Sequence, residues 1–167
     1  MPTAAGWDVT SIMTVGDQAA NGFKMVGIPD GMGAYDNGND TLTLLLNHEL
    51  GATVGAIRAH GAKGAFVSEF VINKNTLTVL SGADLATNHQ VWNNTTSSYE
   101  QATGTRNSFA RLCSADLPSV SAFYNASTGL GTQSRIFMNG EETGPEGRAY
   151  GLWQLVPAKV LLMNYQN

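Results

Sequence analysis

Phe66-Val67-Ser68-Glu69-Phe70-Val71-Ile72 and Leu77-Thr78-Val79-Leu80, joined by Asn73-Lys74-Asn75-Thr76, are the stretch whose reading decides the fold. Both arms are short apolar or alternating runs, and the link between them is built of turn formers, so the stretch reads as a β-hairpin. Outward from it, similar runs recur between Gly, Asn and Asp at the spacing of a sandwich, barrel or propeller rather than of βαβ units. Strands are expected over Val9–Val15, Phe23–Ile28, Thr41–Asn47, Ala65–Ile72, Leu77–Leu80 and Arg135–Asn139. Gly31, Gly33 and Gly38 punctuate Pro29–Asp40, which reads as a loop whose positive φ angles gather Asp30, Asp36 and Asp40. The polar segment Trp92–Arg106 lacks periodicity and reads as irregular surface chain.

Composition points the same way. Among 167 residues only 13% are charged and 19 are glycine, a balance that favours strands and loops over helices. The net charge of -4, without any Lys/Arg run, offers nucleic acid no footprint. A single cysteine, Cys113, rules out an intrachain disulfide. No apolar run approaches the ~20 residues that span a bilayer, and Met1-Pro2-Thr3-Ala4 lacks the basic start of a signal peptide.

Three constellations could carry chemistry. Leu44-Leu45-Leu46-Asn47-His48-Glu49 is an apolar strand that stops on polar side chains, placing an imidazole and a carboxylate at a sheet rim. There Glu49 suits calcium or a harder transition ion and His48 suits iron or zinc; a strand-end cap with an exposed acid is the alternative. Arg111-Leu112-Cys113-Ser114-Ala115-Asp116 precedes Ile136-Phe137-Met138-Asn139-Gly140-Glu141-Glu142. A thiolate near Glu141 and Glu142 suits iron with calcium beside it, whereas a lone cysteine also serves as a small buried hydrophobe. The acidic glycine loop beginning at Asp30 does not match an EF-hand, and two consecutive turns explain it equally well. The serine-hydrolase elbow, the P-loop, the H-E-x-x-H zinc motif and C-x-x-C are all missing from the sequence.

Taken in order, IPDGMGAYDNGNDTLTLLLNHELG, GAFVSEFVINKNTLTVLSGADL, RLCSADLPSVSAFYN and RIFMNGEETGPEGRAYG resemble successive stretches of bacterial PhoX-type alkaline phosphatases. The resemblance spans roughly Gly6 to Gly151 and covers the N-terminal part of that family only. It implies an all-β, propeller-like domain with few helices, export outside the cytoplasm, and hydrolysis of small phosphorylated substrates served by calcium and iron. Some relatives are phytase-like or esterase-like. By this resemblance Glu49 is a metal ligand, Cys113 an iron ligand, and Glu141 with Glu142 the pair that supplies a further carboxylate. His48 and Asp30 are weaker candidates. The chain departs from the family in the Ser114-Ala115-Asp116-Leu117-Pro118 stretch and in having no cysteine before the glutamate pair.

From Leu152 to Asn167 the texture changes and the resemblance ends. Read from the third base of the Leu152 codon, permitted codons give MATGASQGTSYELPK, which resembles the family's continuation. Residues 1–151 are therefore expected to be the N-terminal portion of a propeller, and 152–167 a frameshifted tail; a genuine C-terminal amphipathic strand or helix is the alternative. The leading expectation is a truncated metal-dependent phosphoesterase. Its rivals are a noncatalytic secreted β-module, or inactive fragment, whose unpaired strand edges invite self-association, and a carboxylesterase.

Overall fold

The computed structural model describes residues 4–143, 147–153 and 159–163. Among them the chain is all-β, with no α-helix and only two short 3-10 turns, Gly104–Asn107 and Val120–Phe123. Among the described residues no helix is long and apolar enough to cross a membrane.

The first sheet is an antiparallel meander of β1 (Pro29–Asp36), β2 (Thr41–His48), β3 (Phe66–Asn73) and β4 (Val79–Asp84), in that order. The hairpin expected from the sequence is β3–β4. Its turn is held by Asn73 Oδ1, which accepts the amides of Asn75 and Thr76 at 2.9 Å each. Leu77 takes a left-handed φ of 58°, so β4 begins at Val79 rather than at Leu77.

The second half contributes β5 (Asn88–Asn93), β6 (Ser98–Gln101), β7 (Leu112–Asp116), the small hairpin β8 (Tyr124–Asn125) and β9 (Leu130–Gly131), then β10 (Ile136–Glu141), β11 (Ala149–Trp153) and β12 (Lys159–Met163). The second sheet has the order β6-β5-β12-β11-β10-β7. Within it β7, β10, β11 and β12 form another antiparallel meander, and β5 joins parallel to β12.

The two meanders share a plan. In the first, the register slips between Pro29 and Met32, leaving Asp30 and Gly31 opposite Asn47; in the second it slips between Ser114 and Leu112, leaving Cys113 as the extra residue. Each second strand runs into Asn-x-Glu, Asn47-His48-Glu49 in one and Asn139-Gly140-Glu141 in the other. Four-stranded meanders repeated side by side are the units of propellers. The described residues hold two such meanders, the second widened by β5 and β6 into a six-stranded sheet, and no closed ring.

The main core lies between the sheets and joins Leu45, Val67, Val91, Phe109, Leu112, Phe137, Tyr150 and Leu152. A second cluster of Leu46, Phe70 and Ile72 is covered by Ala19 and Met25 from the N-terminal segment. Both faces of β2 are therefore buried, which explains why Leu44-Leu45-Leu46 is continuous rather than alternating.

Several expectations are corrected. Pro29–Asp36 is strand, not loop, so Asp30 and Asp36 stand at opposite ends of β1, and Asp36 is paired with Lys74 at 2.8 Å. Trp92–Arg106 contains the end of β5, all of β6 and a 3-10 turn; β6 is exposed along its whole length, and an edge strand needs no apolar period. Val9–Val15 forms no strand, since its apolar side chains at Val9, Ile12 and Val15 stay exposed and no ladder partner faces them among the described residues. Phe23–Ile28 contributes only the bridge Gln18↔Lys24. The outer edge of β4 is partly covered, because Ala20 N donates to Val79 O at 3.0 Å and Asn21 bonds both ways with Gly82. Leu152 and Trp153 complete β11 and 159–163 form β12, whereas 154–158 and 164–167 of the tail, with Met1-Pro2-Thr3, lie outside the described residues.

Candidate functional site

The ends of β2 and β10 bring Glu49 and Glu142 to one region, where the segment leading into β7 meets both. Arg111 is the meeting point. Its Nε and Nη2 donate to Glu49 Oε1 at 3.0 and 2.9 Å, and its Nη2 also reaches Glu142 Oε2 at 2.9 Å. Two carboxylates separated by more than ninety positions in sequence thus converge on one cationic point. The Glu49 hydrogen bond, then the Glu142 charge, holds the guanidinium even more firmly protonated than usual. The Arg111 backbone is pinned as well: its amide donates to Leu50 O and its carbonyl accepts from Glu142 N, both at 2.8 Å, with φ at a left-handed 45°. Such a conformation in a non-glycine residue is held only when its surroundings over-determine it.

Glu141 points elsewhere. Its side chain is fully buried, and its two oxygens accept from Arg148 Nε at 2.8 Å, Arg148 Nη2 at 2.9 Å, Arg148 N at 3.2 Å and Ala110 N at 2.8 Å.

His48 is a core residue. Nδ1 donates to Val26 O at 2.9 Å, since a carbonyl only accepts, which leaves Nε2 to accept from Ser68 Oγ at 2.7 Å. The ring stacks on Phe66 at 4.2 Å, and burial pushes its pKa down to about 4 despite the Val26 bond. With both nitrogens committed, His48 has no lone pair for a metal. Asp30 is exposed in the bulge of β1. Cys113 is half-buried in the bulge of β7, beside the Gly140–Glu141 backbone. Among the described residues no three His, Cys, Asp or Glu side chains gather closely enough to hold a metal ion.

The fit to the implied ions is therefore selective. Asn47 and Asn139, each two positions before a glutamate, are buried, and the Oδ1 of each has no partner. Orphaned buried oxygens are costly. Amide and carboxylate oxygens together make a donor set suited to calcium. Glu49 and Glu142 keep oxygens that such a set could use, whereas Glu141 and His48 are fully committed. The sequence singled out Glu49 and Glu142 from their strand-end setting. Arg111 and Arg148 carried no such signal, because only the folded register brings them to their acids.

No family model, curated protein or solved structure matches this chain.

Proposed function

We propose that this chain forms part of the site of an exported, metal-dependent phosphomonoesterase, with Glu49 and Glu142 as its cation-binding carboxylates. The convergence of these two acids on Arg111 is the observation that carries the reading. The two propeller-like units and the PhoX-type stretches of the sequence support it. Calcium held there would polarise the phosphoryl oxygens and offset the charge that builds in the transition state.

The chain's own residues supply the rest. Glu49 is held at the end of β2 with little exposure and fixes one side of the cation position; Glu142, more exposed, closes the other. The planar guanidinium of Arg111 matches the geometry of a phosphate and sits where it would orient one. Two acids are an incomplete cage for calcium, which takes six to eight oxygens, so water and phosphate oxygens would complete the set.

The test is hydrolysis of p-nitrophenyl phosphate by this chain and by a version whose frame is restored at Leu152. Turnover that chelation abolishes, calcium restores and Glu49→Gln removes is expected at least in the restored chain. Turnover indifferent to chelator in both would contradict the reading.

A further inference from the structure

Glu141 and Glu142 are adjacent in sequence, and the resemblance gives them to the metal as a pair. The geometry divides them. We infer that Glu141 is a positioning residue rather than a ligand: with Arg148 it clamps the segment 106–111 and so sets Arg111 against Glu49 and Glu142. This rests on the reading of that rim as the functional site.

Every lone-pair direction of the Glu141 carboxylate that matters for binding is already used. Oε1 accepts from Arg148 Nη2 and Ala110 N, and Oε2 from Arg148 Nε and Arg148 N, all between 2.8 and 3.2 Å. The side chain is fully buried. A metal ion would have to displace a bidentate guanidinium from a desolvated carboxylate, leaving Arg148 without its buried counter-charge. Arg148 is itself committed further, since Nη2 donates to Ser108 O at 2.7 Å and Nη1 to Arg106 O at 3.1 Å.

These bonds share one target. Arg106, Ser108 and Ala110 alternate along the segment that delivers Arg111, and the Glu141–Arg148 pair holds all three backbones. Ala110 is bonded to Glu141 one residue before the left-handed turn at Arg111, and Glu142 N bonds Arg111 O one residue after Glu141. A strained residue is thus fixed on one side by the Glu141–Arg148 pair and on the other by the backbone amide that follows Glu141. Glu142, by contrast, is 62% exposed in its side chain and touches the clamp only through its backbone, so its carboxylate, bonded to the exposed Arg111 guanidinium, stands open to solvent and to a ligand.

The test compares Glu141→Gln, Glu142→Gln and the double variant Glu141→Met/Arg148→Met, which removes the pair without stranding a charge. Thermal melting and calcium titration are read on each. Glu141→Gln is expected to lower Tm by about 6–10 °C, to speed hydrogen exchange at Ala110, and to leave the number of calcium ions bound unchanged. Glu142→Gln is expected to leave Tm within about 2 °C and to weaken calcium binding. If Glu141→Gln does not fold, the double variant must fold and still bind calcium. Loss of a bound ion in either Glu141 variant with Tm and Ala110 exchange unchanged would overturn the inference. Calcium binding missing from the wild type as well, with the Tm and exchange changes present, would sink the metal reading while leaving the positioning role intact.

Discussion

Gly31 in β1 lies against Ala115 in β7 so closely that a Cβ on Gly31 would sit 2.7 Å from both the Ala115 amide nitrogen and its Cβ. Gly33 makes the same approach to Leu117. The two meanders are joined here, and Asn47 Nδ2 spans the seam to Ser114 O at 3.3 Å. The backbone cannot retreat without pulling β7 from β1. Gly31→Ala should therefore lower stability by about 1–3 kcal/mol and weaken the seam, measured by urea unfolding and by hydrogen exchange in β7. Gly38→Ala sits in open space and is costly only through its left-handed φ of 78°, so it should leave exchange in β7 unchanged.

Acid should unfold the protein through its buried imidazoles. His48 and His89 both have pKa values pushed down to about 4, by burial above all, and burial lowers His60 as well. His89 donates from Nδ1 to Asn107 O at 3.2 Å and packs on Phe109, as does His60, so these rings tie β5 to the core. Asp84 and Arg58 act on His60, and Arg148 and Glu141 on His89, with burial outweighing them. A depressed base takes up its proton in the unfolded chain first. Stability is thus full above about pH 6.5 and falls as pH drops toward 4, by roughly 3 kcal/mol for each of His48 and His89. Urea melts from pH 7.5 to 4 measure it, and a flat profile across that window would contradict the assignment.

Arg111 already occupies Glu49 Oε1, so on the proposed reading it would compete with a divalent cation for that atom. Removing the guanidinium should raise calcium affinity about tenfold while weakening retention of inorganic phosphate. Arg111→Gly is the better variant, because glycine accepts the left-handed backbone without strain. Terbium luminescence at the rim reads the first effect and isothermal titration with phosphate the second. Equal calcium affinity in variant and wild type would show that the arginine is no competitor.

The fold was legible wherever residues face a buried surface. The β3–β4 hairpin and the β2 strand announced themselves through apolar content and turn chemistry, and the rim position of Glu49 followed from where the apolar run stops. Legibility failed at edges and close contacts. Gly31 and Gly33 resemble turn glycines in sequence, yet they are strand residues kept small by a neighbour 84 positions away in the case of Gly31 and Ala115. β6 bears no apolar period because it buries nothing. At the site the residue types were readable but not their partners: nothing in Asn-His-Glu tells that His48 turns into the core toward Ser68, and nothing in Glu141-Glu142 tells which acid Arg148 takes. Those choices are made by register, which the bulges at Asp30–Gly31 and Cys113 set locally.

The central claim is that Glu49 and Glu142 bind a divalent cation together, and a calcium titration by isothermal calorimetry of the wild type beside Glu49→Gln tests it most directly. A saturable site in the wild type that Glu49→Gln abolishes, with both proteins melting alike, is the predicted result; a wild type that binds no calcium, or a variant that binds it equally well, would contradict it.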